Sequence, residues 1–169
     1  MTHDDGMALR PKVALITSLA AAVVLVDLVT KAMFERSFSG QPTLSLLADT
    51  LRVGFVLNTG VFLSLGHALS PHARFWLFVV GVGGVLAILL GLTLRDSRFR
   101  GPEVAAVAAI VGGGVGNLVD RVHLGAVRDF LNVGVGPLRT GIFNVADMAI
   151  TFGGIALLLI PLVRKPTGR

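Results

Sequence analysis

Residues 103–132 read EVAAVAAIVGGGVGNLVDRVHLGAVRDFLN. The first part is small and apolar, and directly behind it stand Asn117, Asp120, Arg121, Arg128 and Asp129. A charged group at the centre of a bilayer costs on the order of 3 kcal/mol or more, so it is kept only where it faces protein, faces water or does chemistry. The stretch therefore predicts a membrane helix with a polar site at its end. The rest of the chain has to supply the helices that enclose that site.

Composition agrees. The 169-residue chain is 53% hydrophobic and 15% charged, with a mean hydropathy of +0.80, whereas soluble domains carry about a quarter charged residues. Cysteine is absent, which excludes a disulfide framework, a thiolate nucleophile and a cysteine metal site. The histidines, His3, His67, His72 and His123, show no metal-ligand spacing, so neither a metal nor another cofactor is expected. A net charge of +5 is spread between apolar runs rather than gathered on one face, which argues against a nucleic-acid partner.

Apolar runs at 13–34, 73–94, 103–122 and 142–163 each approach the ~20 residues that cross a hydrocarbon core. Ser70 and Pro71 give the second run a helix start. The first run is long, carries Asp27 and Lys31, and lacks a small-residue cleavage site, so it reads as a span rather than a removed signal peptide. Between the first two runs, about residues 39–68, the sequence QPTLSLLADTLRVGFVLNTGVFLSLG (41–66) mixes β-branched, apolar and turn residues around Asn58-Thr59-Gly60 and predicts short strands. The expected fold is an all-α membrane protein, a single domain over 1–169, with four transmembrane helices and a small β-rich extracytoplasmic domain between helices 1 and 2. Glycine patches at 80–84, 111–116 and 152–154 predict close helix contacts.

Basic residues set the orientation. With four spans, one side carries Arg10, Lys12, Arg95, Arg98, Arg100, Arg164, Lys165 and Arg169; the other carries Arg36, Arg52, Arg74, Arg121, Arg128 and Arg139 over a longer stretch. Both termini are therefore expected in the cytoplasm, with the first and third loops outside.

The polar residues then fall into groups. Asp27 and Lys31, four apart, share a helix face and are expected to pair. Asn117, Asp120 and Arg121 lie within one turn, with Arg121 expected to satisfy Asp120. Asn58 reads first as a turn residue. Asn144 and Asp147, three apart, share a face at the start of the fourth span, where a carboxylate is favoured. Asp129 and Asp147 are the anomalies. They come from segments that meet at the outer interface, and two carboxyls close together in a partly dry site tend to share one proton. One can activate water while the other protonates a carbonyl, which is peptidase chemistry without a metal. A small transporter or channel would also keep intramembrane polar residues, but near the midplane rather than at one end.

The stretches GNLVDRVHLGAVRDF (116–130) and FNVADMAI (143–150), with DLVTK (27–31) and NTGVFLS (58–64), resemble the lipoprotein signal peptidases (signal peptidase II). The resemblance implies catalysis by Asp129 and Asp147, with Asn58, Gly60, Asn117, Asp120, Arg121, Asn144, Asp27 and Lys31 in supporting or substrate-binding roles. It implies an aspartyl endopeptidase of the bacterial inner membrane, acting as a monomer near the outer face. That enzyme would cut diacylglyceryl-modified prolipoproteins before the lipidated Cys while in contact with membrane lipid. Two departures, Leu28 where the family usually has Gln and Val61-Phe62-Leu63 in the loop motif, point to a specialised paralogue with a narrow substrate range.

Overall fold

The computed structural model describes residues 7–60 and 69–163, and the altered positions Val61, Phe62 and Leu63 lie outside them. Among the described residues, four helices are long and apolar enough to cross a membrane: Leu9–Phe38, His72–Arg95, Gly101–Leu124 and Val145–Val163. In chain order the elements are α1 (Leu9–Phe38), β1 (Leu44–Leu46), β2 (Leu51–Asn58), α2 (Pro71–Phe75), a π-helical stretch (Trp76–Gly81), α3 (Val82–Arg95), α4 (Gly101–Leu124), β3 (Val127–Val135), β4 (Leu138–Arg139) and α5 (Val145–Val163). The second span is thus one apolar run carried by α2, the π-helical stretch and α3. The Ser70 hydroxyl caps it by accepting from the Ala73 amide at 3.2 Å.

The fourth helix begins at Val145 rather than at 142. Phe143 is taken instead by the sheet, through hydrogen bonds with Leu131, and Asn144 becomes the cap.

α4 is the central helix, with 56% of its span buried against 11% for each of the others. Its glycines explain why. Successive residues step about 100° round a helix, so Gly112, Gly113 and Gly114 face α1, α5 and α3 in turn. A Cβ on Gly112 would lie 2.8 Å from the Val23 side chain, and one on Gly114 2.5 Å from Leu86, while Gly113 abuts the Ala146 backbone. Gly153 of α5 meets the Ala106 carbonyl in the same way. The patch at 80–84 is looser: a Cβ on Gly83 would meet Leu118 of α4 at an ordinary 4.0 Å, Gly84 touches nothing and Gly81 meets only the Trp76 carbonyl. These glycines sit where the π-helical stretch returns to α-helix, and only Gly83 faces a neighbouring helix.

The sheet has four antiparallel strands in the order β1-β2-β3-β4. Half of it comes from the loop between the third and fourth spans, which the sequence reading left without strands. β2 and β3 pair from Leu51↔Val133 to Asn58↔Val127, with an irregularity between Val53 and Val56 that keeps Asn58 beside the start of β3. Phe130 is buried and stacks on Phe34 of α1 with centroids 4.1 Å apart, fixing the sheet to the bundle. At the other end of the molecule, buried Lys12 caps α3 by donating to the carbonyls of Thr93 (3.1 Å) and Asp96 (2.7 Å).

Candidate active site

The site grows from the first turn of α5. The Asn144 side-chain oxygen accepts from the Asp147 amide at 3.0 Å, and an Asp147 carboxylate oxygen accepts from the Asn144 amide at 3.2 Å. This reciprocal cap satisfies two of the amides that a helix start leaves open. A third, on Ala146, donates to Asp27 of α1 at 2.9 Å.

Capping leaves the Asn144 NH2 group pointing outward from the turn. It donates to Asp129 at 2.7 Å and to the Asn117 side-chain oxygen at 3.1 Å. Asn117 in turn donates to Asp147 at 2.8 Å. The second Asp129 oxygen accepts from Asn58 at 2.8 Å, and the Gly60 amide, donating to the Asn58 oxygen at 3.0 Å, sets which end of that side chain faces the acid. Asn58 therefore makes the turn expected of it and holds a carboxylate as well.

Asp129 and Asp147 are thus brought into one network of three asparagine side chains. Among the described residues neither makes an ion pair. Asp129 is 1% exposed. Burial, reinforced by the charge of Asp147 and opposed by the Asn58 and Asn144 amides, pushes its carboxyl up to about 6.

A second network lies behind the first. Lys31, fully buried, contacts Asp27 at 2.7 Å and Asp120 at 3.1 Å and donates to the Asn117 oxygen at 2.9 Å. The expected Asp27–Lys31 pair is present, but the expected partner of Asp120 is not. Arg128, rather than Arg121, binds Asp120, through Nη2 at 2.6 Å, Nε at 3.0 Å and its backbone amide at 3.0 Å, and it reaches Glu35 at 3.0 Å.

The reason is geometric. Neighbours on a helix do not face each other, so Arg121 turns away from Asp120 and lies over the Phe78 ring, 5.8 Å from its centroid. Neighbours on a strand point to opposite faces, so β3 sends Arg128 to the ion network and Asp129 to the asparagines. Arg128 and Glu35 are the residues that sequence reasoning missed. The spacing of four through Asp27, Lys31 and Glu35 was the signal for one of them, and the alternation of VRDFLNVGV the signal for the other. Beside the asparagine network opens a cleft of about 360 Å3, bounded by Asn58, Arg74, Phe75, Phe78 and Arg121.

A family model for signal peptidase II matches residues 19–163. The chain is 32% identical over 156 residues to the lipoprotein signal peptidase of Nitratidesulfovibrio vulgaris (strain DP4), covering 92% of this chain and 93% of that one. It is 33% identical over 154 residues to the lipoprotein signal peptidase of Aquifex aeolicus (strain VF5), covering 90% and 87%. A solved structure of a bacterial membrane enzyme superposes with a TM-score of 0.75 at 26% identity, covering 89% of this chain and 94% of that one. Fold, site and relatives together define a multi-pass membrane protease of the aspartic type. The chain belongs to the signal peptidase II family.

Proposed function

We infer that this enzyme cleaves diacylglyceryl-modified prolipoproteins immediately before the lipidated Cys, with Asp129 and Asp147 as its catalytic pair. The observation that carries the reading is that these two carboxyls are held by amides and, among the described residues, make no ion pair. A carboxyl held by amides keeps the capacity to exchange a proton, whereas one bound to an arginine is fixed as an anion.

Asp129 suits the acid role, because burial holds its proton to about pH 6. Asp147 takes the base role as the other carboxyl of the network, held by Asn117 and the Asn144 amide. In the first step Asp147 takes a proton from water, the water oxygen bonds to the scissile carbonyl carbon, and Asp129 protonates the carbonyl oxygen. In the second step the tetrahedral intermediate returns a proton to Asp129, Asp147 gives its proton to the leaving nitrogen, and the C–N bond breaks. The products are a carboxylic acid on the signal peptide and a free amine on the lipidated Cys.

The carboxyls belong to one end of the bundle, beside the sheet, which suits a substrate whose signal helix and acyl chains stay in lipid while its scissile bond reaches the interface. The density of Lys and Arg in the tails and second loop supports cytoplasmic termini and an outer site. The chain has no Cys, so labelling of single cysteines tests this. Ser45→Cys should react with a membrane-impermeant thiol reagent on intact cells and Arg98→Cys should not; the reverse pattern inverts the topology. We also infer a monomer, to be checked by mass in detergent.

The deciding assay gives the purified protein a diacylated prolipoprotein and weighs the product. A peptide starting at the lipidated Cys supports the assignment, and no cleavage sinks it. The Val61-Phe62-Leu63 departure favours a narrow substrate range, and cleavage of several unrelated prolipoproteins at equal rates would remove that refinement.

A further inference from the structure

Hydrolysis converts a neutral amide into a carboxylic acid beside two aspartates. In a partly dry site three acidic groups repel one another unless a cation receives the newest. The cationic side chains built into the site are Lys31, Arg128, Arg121 and Arg74. Lys31 is fully buried between Asp27, Asp120 and Asn117, and Arg128 is taken by Asp120 and Glu35.

The other two are differently placed. Among the described residues Arg121 makes one long hydrogen bond, 3.5 Å to the Asn117 carbonyl, and its guanidinium lies over Phe78. Arg74, in the short helix that opens the second span, has a buried Nε with no hydrogen-bond partner among the described residues. A buried guanidinium N–H without a partner is costly and calls for an acceptor. Both arginines line the same cleft of about 360 Å3, and that cleft reaches Asn58, whose amide holds Asp129. Its remaining walls include Phe75, Phe78 and Leu124, which suit the apolar side chains of a signal segment. The π-helical stretch Trp76–Gly81 contributes Phe78 to this wall, a placement in keeping with the tendency of such turns to occur at functional sites.

We propose that Arg74 and Arg121 form a carboxylate seat that takes the new C-terminus of the released signal peptide away from the aspartates. The seat rests on the peptidase reading above. Guanidinium forks match a carboxylate in two parallel hydrogen bonds, and the intact substrate, neutral at that atom, does not engage them. The same forks would also accept the phosphate of a membrane phospholipid, so the test separates the two.

The enzyme is reconstituted in phosphatidylcholine vesicles and given two dansyl-labelled signal peptides that end at the residue before the Cys, one a free acid and one a C-terminal amide. Binding is read by energy transfer from Trp76, the one Trp in the chain. The acid should bind about tenfold more tightly than the amide, the size of one charge-assisted hydrogen bond. Arg74→Gln should bring the two affinities together, and Arg74→Lys should retain part of the preference. Equal binding by the unaltered enzyme, or a full preference in Arg74→Gln, overturns the seat. Loss of the preference when phosphatidylglycerol is mixed into the vesicles reassigns the seat to lipid phosphate and overturns the product role. Prolipoprotein cleavage is followed in parallel: cleavage without acid preference rejects the seat alone, whereas acid preference without cleavage rejects the peptidase reading.

Discussion

Two polar clusters share the core of this protein and are built from the same residue types, yet they are neutralised in opposite ways. Around Lys31, the carboxylates of Asp27, Asp120 and Glu35 meet full cations. A few residues away, Asp129 and Asp147 are held by the amides of Asn58, Asn117 and Asn144 and, among the described residues, make no ion pair. A cation compensates the charge of a carboxylate, while an amide positions it and leaves that charge uncompensated. Asn117 joins the clusters, accepting from Lys31 with its oxygen and donating to Asp147 with its nitrogen. The rigid charge of the first cluster thereby orients the amide that serves the second.

The sharpest way to break this contrast is to remove the exchangeable protons. Asp129→Asn and Asp147→Asn should each lower prolipoprotein cleavage by about a thousandfold or more while leaving the thermal midpoint close to that of the unaltered protein. Normal turnover by either variant would merge the two clusters into one structural network.

Lys31→Met attacks the other side. Removing one member of a buried ion network leaves the rest uncompensated, at a cost of about 3–5 kcal/mol, so this variant should unfold at a clearly lower temperature in detergent. Asp120→Asn should cost less, because Lys31 keeps Asp27 and Arg128 keeps Glu35. Unchanged stability in Lys31→Met would show that the network is not what holds the helices.

Gly116 lies against the Asp27 carboxylate. Gly116→Ala should press Asp27 away from Lys31 and lower stability by about 1–3 kcal/mol, the usual cost of overpacking, with activity falling in step. A variant with full stability would mean that α1 and α4 can separate at no cost.

The pH profile sharpens the comparison further. Asp129 keeps its proton below about pH 6 and loses it above, so the acid proposed for the reaction is protonated only on the acid side of that value. In the free enzyme kcat/KM should therefore fall as pH rises through it. Because the Asn58 amide lowers the Asp129 value, Asn58→Ala should move that alkaline limb upward. A limb that stays put would remove Asp129 from the proton transfer. The smallest effect belongs to an ion pair at the surface. Arg98, 86% exposed and bonded to Asp96, should be replaceable by Gln without a measurable change in thermal midpoint.

Much of this molecule is written locally, and the remainder depends on which face a residue takes. Asp27 and Lys31 pair because a spacing of four fixes their meeting on any α-helix. Arg121 could not be placed by proximity in sequence, since adjacency on a helix means divergence, and Arg128 could be assigned to Asp120 only once residues 127–135 were known to be a strand. The sheet was half legible: the Asn58-Thr59-Gly60 turn and the alternation before it announce β1 and β2. Residues 127–139 alternate and carry the Gly136-Pro137 turn signal, but the segment lies between two apolar spans, and it becomes sheet because β3 pairs with β2 and β4 with β3.

The sequence by itself determined the four membrane spans, the small-residue surface of α4 and the two aspartates as the anomalous charges. Each follows from a cost that does not depend on the partner: hydrocarbon length, the bulk of a Cβ, the desolvation of a carboxylate. Only the tertiary structure decided which donors those aspartates receive. The Asn144 NH2 is free to bond Asp129 only after its oxygen has capped α5, and Asn58 reaches the same acid only because β2 and β3 pair in one register. Hydrogen bonds are directional and short, so their partners are set by the positions of separate elements to within fractions of an ångström, and local sequence cannot specify positions so finely.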